Sequence, residues 1–109
     1  MHEFGITENI VAIVAERAGA RRVRRLTLEI GKLSAIMPDA IRFCFDVCAE
    51  KTVLQGALLE IQEIDGRGIC KSCGNEVEVH LLGSACQCGS IDIKCVAGHE
   101  LAIKEMEVD

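Results

Sequence analysis

The chain has 109 residues, half of them hydrophobic, and its 12 basic and 17 acidic side chains leave a formal charge of −5. That length can bury one core, or one core with a small satellite. An acidic chain with three Phe and no Trp or Tyr lacks the basic face and stacking rings of a general nucleic-acid binder. No apolar run approaches the roughly 20 residues of a membrane span and no signal segment opens the chain, so a cytoplasmic protein without a nucleic-acid or membrane role is expected.

Met1-His2-Glu3 places an α-amine beside an imidazole. The Met1 amine, the His2 amide nitrogen and the His2 ring can reach one metal ion, and nitrogen-rich chelates of this kind suit nickel(II) or copper(II). A solvated, inert terminal histidine is the competing reading. From Phe4 to Ala18, Ile6, Ile10, Ile13, Val14 and Ala18 recur at helical spacing, and Gly19 is placed as a left-handed stop. Val23 to Ile30 alternates, with Leu26, Leu28 and Ile30 on a buried face and Thr27 and Glu29 opposite, which predicts a half-buried strand. Arg21, Arg22, Arg24 and Arg25 at its start are the one basic cluster, read as a solvated lip with an acidic partner surface as the sharper alternative.

Pro38 suits the first turn of a second helix whose inward stripe would be Ile41, Cys44, Phe45 and Cys48. Ala57 to Ile64 reads as a second strand and Leu101 to Val108 as a third, which changes phase at Lys104 and Glu105 as a bulge would. Between these strands Cys70-Lys71-Ser72-Cys73 and Cys86-Gln87-Cys88 lie within a Gly-rich, polar stretch. Disulfides are rare in a reducing compartment, and two such knuckles bring four sulfurs around one tetrahedral ion, for which zinc is the default. A single residue between Cys86 and Cys88 is less usual than two, so His80 or Cys95 stands as an alternative fourth ligand. Asp65, Gly66 and Gly68 offer an exit that can bend. The predicted class is α+β: a sheet of about three strands with two helices on one face, and an inserted zinc-ribbon-like module. Residues 1–65 with 97–109 would form a discontinuous α/β domain, and 66–96 the metal module.

No Gly-x-Ser-x-Gly elbow, phosphate loop or His-Glu-x-x-His pair is present, and a four-sulfur site leaves no vacancy for activated water, so no enzyme is expected. Two binding functions compete on these residues alone, a zinc-ribbon adaptor for protein interactions and a thiol redox switch.

The order of Met1-His2-Glu3, Ile30-Gly31-Lys32-Leu33-Ser34, Pro38-Asp39-Ala40, the late cysteine module with Gly89-Ser90, and Gly98-His99-Glu100-Leu101 resembles the HypA/HybF family of hydrogenase nickel-insertion accessory proteins along nearly the whole chain. Arg42-Phe43-Cys44-Phe45-Asp46-Val47 adds to the likeness. The resemblance implies a metallochaperone that holds Ni(II) transiently at His2, with the Met1 amine, backbone nitrogens of His2 and Glu3, and support from the Glu3 carboxylate. It implies structural Zn(II) on Cys70, Cys73, Cys86 and Cys88. The implied partners are a nickel-binding GTPase and the precursor of the [NiFe] hydrogenase large subunit, with urease maturation proteins in some organisms. Two departures stand out: Ala85 occupies the place where a second Cys-x-x-Cys would begin, and Met37 stands before Pro38 where relatives often carry an acid, with Asp39 two positions on.

Overall fold

The computed structural model describes residues 2–109, and Met1, one of the expected nickel donors, lies outside the described residues. The elements run α1 (His2–Ala18), β1 (Val23–Gly31), α2 (Pro38–Ala49), β2 (Leu58–Ile64), β3 (Arg67–Cys70), β4 (Glu76–Glu78), β5 (Ile93–Ala97) and β6 (Leu101–Val108). They build two three-stranded sheets, ordered β2-β1-β6 and β4-β3-β5, so the class is α+β as the periodicities imply.

α1 carries Glu3 in its first turn and Arg17 in its last, both favourable to the helix dipole, and ends at Gly19 with φ +64°. It begins at His2 and not beyond Glu3, so the two residues expected to hold metal form its opening turn. Its inward stripe is Thr7, Ile10, Val11, Val14 and Ala18, while Ile13 is 45% exposed. The expected stripe was rotated because Ile6 and Ile13 outrank Thr7 on hydrophobicity. Thr7 is buried without cost because its hydroxyl donates to the Glu3 carbonyl one turn back, at 2.6 Å.

α2 starts on Pro38, whose missing N–H falls where no intrahelical bond is due. It buries Ile41, Phe45 and Ala49, and leaves Cys44 and Cys48 half-buried and not in the core. The two helices pack on each other. The residues buried on the two helices, with Val23, Leu26, Leu28 and Leu54, supply the main core.

Val23 N–H donates to Val53 and, nine residues on, Lys32 N–H donates to Ile64. Both partners advance together, so β2 runs parallel to β1 with α2 in the crossover. Asp109 N–H donates to Arg22 while Gly31 N–H donates to Glu100, so β6 runs antiparallel to β1. Thr27 is buried too, unlike a strand with one wet face. Arg25 pairs with Glu60 on β2 and Glu107 on β6, tying the flanking strands across the central one. Lys104 reaches Gln62, which shares a strand face with Glu60.

By contacts the chain divides into two units. One comprises the chain through Leu28, Ile36–Gln62 and Ala102–Asp109, and the other Glu29–Ala35 with Glu63–Leu101. The second unit gathers the end of β1 because Gly31 N–H donates to Glu100, Leu33 N–H to Gly98, and the Lys32 ammonium meets Asp65 at 2.6 Å. Gly66 and Gly68 serve close packing there and not flexibility. A Cβ on Gly66 would lie 2.3 Å from the Val79 oxygen, and one on Gly68 2.5 Å from Ile93 Cγ2.

Candidate metal centre

β3, β4 and β5 form a small antiparallel sheet, with Gly68 opposite Val77 on one side and Cys95 on the other. These strands of three to five residues are too short to announce themselves by periodicity. β3 delivers Cys70 to its end. There the chain turns through Lys71 and Ser72 to Cys73, closed by Cys70 N–H donating to Asn75 at 2.9 Å and Gly74 N–H donating back to Cys70 at 2.8 Å. Gly74 takes φ +80°, a conformation that favours glycine.

The second knuckle repeats this construction one residue shorter. Cys86 N–H donates to Ser90 and Gly89 N–H donates back to Cys86, each at 2.9 Å, with Gly89 at φ +94°. In both turns the first cysteine is bonded by the glycine and bonds the residue after it. With one residue fewer between its cysteines than the first turn, the second thus keeps both closing bonds. Ser72 Oγ donates to Ser90 Oγ at 2.9 Å, joining the two turns.

All four sulfurs lie within 4.8 Å of one another, and all seven cysteines are free thiols. Cys70 and Cys88 sulfurs are 3.7 Å apart, and those of Cys73 and Cys86 3.4 Å. Four thiolates bonded to one ion at about 2.3 Å in a tetrahedron require sulfur separations of about 3.8 Å, so the donor set fits an ion of zinc's size and softness. His80 stays outside, its Nε2 3.2 Å from Glu78, and Cys95 faces solvent on β5 with its thiol donating to Ala97. The only buried hydrophobic side chains between Glu63 and Leu101 are Cys70 and Cys86, which leaves this stretch with almost no hydrocarbon core of its own.

Electrostatics point the same way. The N–H groups of Cys73 and Ser72 draw the Cys70 thiol down to about 6, against the opposing effect of burial. Asn75 N–H favours the Cys73 thiolate, but the sulfurs of Cys86, Cys70 and Cys88 with burial outweigh it and push Cys73 up to about 12. Cys88 is favoured by Ser90 N–H yet raised overall by Cys70 and Cys86. Four adjacent thiolates repel one another unless a cation lies among them. Metal capture must therefore expel protons, and its affinity rises with pH.

The other expected donors are spread differently. His2 is exposed on the first turn of α1, and Glu3 is half-buried beside it. The Glu3 carboxylate accepts from its own backbone N–H and from Met37 N–H at the start of α2, which together hold it below the usual carboxylate range despite partial burial. Asp39 is exposed and pairs with Arg42 at 3.2 Å. Among the described residues, the four cysteines are the one group of three or more side chains arranged to hold an ion. The link from Glu3 to Met37 has no sequence signature. The glycine following each cysteine pair was the available sign that the short second turn would close.

A family model described as hydrogenase/urease nickel incorporation, metallochaperone, hypA matches residues 1–108. The chain belongs to the HypA family. It is 59% identical over 109 residues to the hydrogenase maturation factor HypA of Nostoc punctiforme, covering 100% of this chain and 96% of that one. Against the factor of the same name from Geobacter metallireducens it is 48% identical over 110 residues, with both chains fully covered. The solution structure of the Ni metallochaperone HypA from Helicobacter pylori superposes with a TM-score of 0.68 at 24% identity, over 97% of this chain and 96% of that one. A second HypA solution structure gives a TM-score of 0.72 over 99% and 96%. These two likenesses establish a shared fold. The family is one of maturation factors and not of known enzymes, and no helix among the described residues is long and apolar enough to cross a membrane.

Proposed function

We propose that this chain is a cytoplasmic nickel metallochaperone that takes up Ni(II) at its N-terminus and delivers it during maturation of [NiFe] hydrogenase. Family membership over residues 1–108 carries the reading. His2 is the principal donor, joined by the Met1 amine and the backbone nitrogens of His2 and Glu3, with the Glu3 carboxylate as support. What favours this in the fold is the position of His2 and Glu3 at the start of α1. The first N–H groups of a helix have no intrahelical acceptor, so coordination through them breaks no helical hydrogen bond. The imidazole is exposed and its loss exposes no core.

Zn(II) on Cys70, Cys73, Cys86 and Cys88 would hold β3, β4 and β5 together where hydrocarbon packing does not. In this reading residues 1–65 with 97–109 form the nickel domain and 66–96 the zinc module. The partners are the nickel-binding GTPase of hydrogenase maturation and the precursor of the hydrogenase large subunit, with urease maturation proteins in hosts that have them.

The deciding experiment is metal analysis and nickel titration of the untagged protein and of His2→Ala. The variant should lose the tight nickel site and keep one zinc per chain, and blocking the α-amine should act the same way. Equal nickel binding by parent and variant would overturn the terminal site. Uptake of zinc alone by the parent would favour the zinc-ribbon adaptor instead.

A further inference from the structure

The segment Arg42-Phe43-Cys44-Phe45-Asp46-Val47 turns two phenylalanines in opposite directions. Phe45 is buried in the core, whereas Phe43 is 82% exposed and Val47, one turn on, is 55% exposed. Positions four apart share a helix face, so Phe43 and Val47 form one apolar strip. Asp46 and Glu50 lie along the same strip by their spacing, and Asp39 lies at its other end. Asp39 is engaged by Arg42. Asp46 and Glu50 make no ion pair among the described residues.

A stray exposed apolar side chain needs no explanation, but a paired strip with unengaged carboxylates resembles an interface centre with a charged rim. Phe43 is also by far the most exposed of the chain's three phenylalanines. We propose that this face of α2 docks a protein partner presenting an apolar pocket bordered by Lys or Arg. The pocket takes Phe43 and Val47, and the basic border meets Asp46 and Glu50. A second copy of the chain is the wrong occupant. A two-fold contact through this face would gather Asp46 and Glu50 from both copies, four unpaired carboxylates, into one interface.

The choice of probes rests on the function proposed above. The GTPase and the large-subunit precursor from the same genome are immobilised in turn and titrated with metal-loaded protein at low and high salt. One of them should bind the parent. Phe43→Ala should weaken that binding at least tenfold, as truncation of a buried aromatic anchor does. Asp46→Asn with Glu50→Gln should weaken it several-fold at low salt and little at high salt, because the rim acts through screened charge. Both variants alter exposed side chains, so their circular dichroism and nickel titrations should match the parent. His2→Ala should bind the partner as the parent does, which separates failure of this surface from failure of the nickel site. Binding of neither probe by the parent, or unchanged binding by both surface variants, overturns the proposal. So does a homodimer that Phe43→Ala dissociates in sedimentation.

Discussion

Substituting Ala for Gly31 tests the packing at the base of the metal module. A Cβ built there lies 1.9 Å from the Gly98 oxygen and 2.7 Å from the Glu100 nitrogen, both backbone atoms. Real Cβ contacts essentially never fall below 3.0 Å, so the Gly98 carbonyl must retreat by at least 3.0 − 1.9 = 1.1 Å. That oxygen accepts from Leu33 N–H at 2.7 Å, and Gly31 N–H donates to Glu100 at 2.7 Å, so both bonds are lost or stretched. Two backbone bonds at about 1 kcal/mol each and an overpacking cost of about 1–3 kcal/mol come to roughly 3–5 kcal/mol. Gly31 has no positive φ, so alanine gains about 0.4–1 kcal/mol through the unfolded chain, too little to reverse the sign. A net loss near 3 kcal/mol lowers the melting temperature of a domain this size by on the order of 10–20 °C. The chain has no Trp or Tyr, so melting is followed by circular dichroism of the metal-loaded protein. Gly5→Ala is the control. Nothing lies within 4 Å of a Cβ there, and in α1 it should stabilise by about 0.5–1 kcal/mol. A Gly31→Ala protein that melts within about 2 °C of the parent would refute the steric argument, because so small a shift corresponds to well under 1 kcal/mol.

The metal module and its neighbouring ion pair give two more tests. Removing the thiolate-bound metal with a strong chelator at neutral pH should collapse the amide dispersion of β3, β4 and β5 while the helical signal of α1 and α2 persists. Retained dispersion across Arg67–Ala97 would mean that packing alone supports the module. The Lys32–Asp65 pair should be intact over a wide pH range. The bond and charge of Lys32 lower the Asp65 pKa, so its contribution is present above the unfolded value near 3.8 and fades as pH falls through the lowered one. Asp65 likewise raises Lys32, whose contribution is present below the unfolded value near 10.5 and fades as pH rises past the raised one. An NMR titration of the Asp65 carboxyl in the parent and in Lys32→Gln checks this, with equal midpoints as the contrary result.

Much of this architecture was legible in the residues because it arises from periodicity. β1, β2 and β6 begin and end, and α2 begins, within a residue or two of where alternation, Pro38 and Gly31 put them. The cysteine cluster was legible from spacing, which still left His80 or Cys95 open in place of one sulfur; the fold groups Cys70, Cys73, Cys86 and Cys88. What escaped has physical causes in each case. Thr7 reads as polar until its hydroxyl is bonded by its own helix, and the start of α1 at His2 carries no Ser, Thr or Asp cap to mark it. Gly66 and Gly68 look like hinges in a sequence, whereas the fold uses them for the absence of a side chain. Three of the four clustered arginines are engaged within the chain, Arg22 by Gln55, Arg24 by Asp109 and Arg25 by Glu60 and Glu107. A charge run cannot reveal that, because its partners are distant in sequence.

The two knuckles of this one chain show how much latitude such a turn has. The turn is defined by a left-handed glycine and two backbone bonds, so the number of residues between its sulfurs can drift by one without scattering the donors. A search that demands two Cys-x-x-Cys pairs passes over this site, and one that asks for a glycine after each second cysteine finds it. One residue more or fewer between the sulfurs leaves such a turn closed, and replacement of Gly89 or Gly74 is the change that strains it.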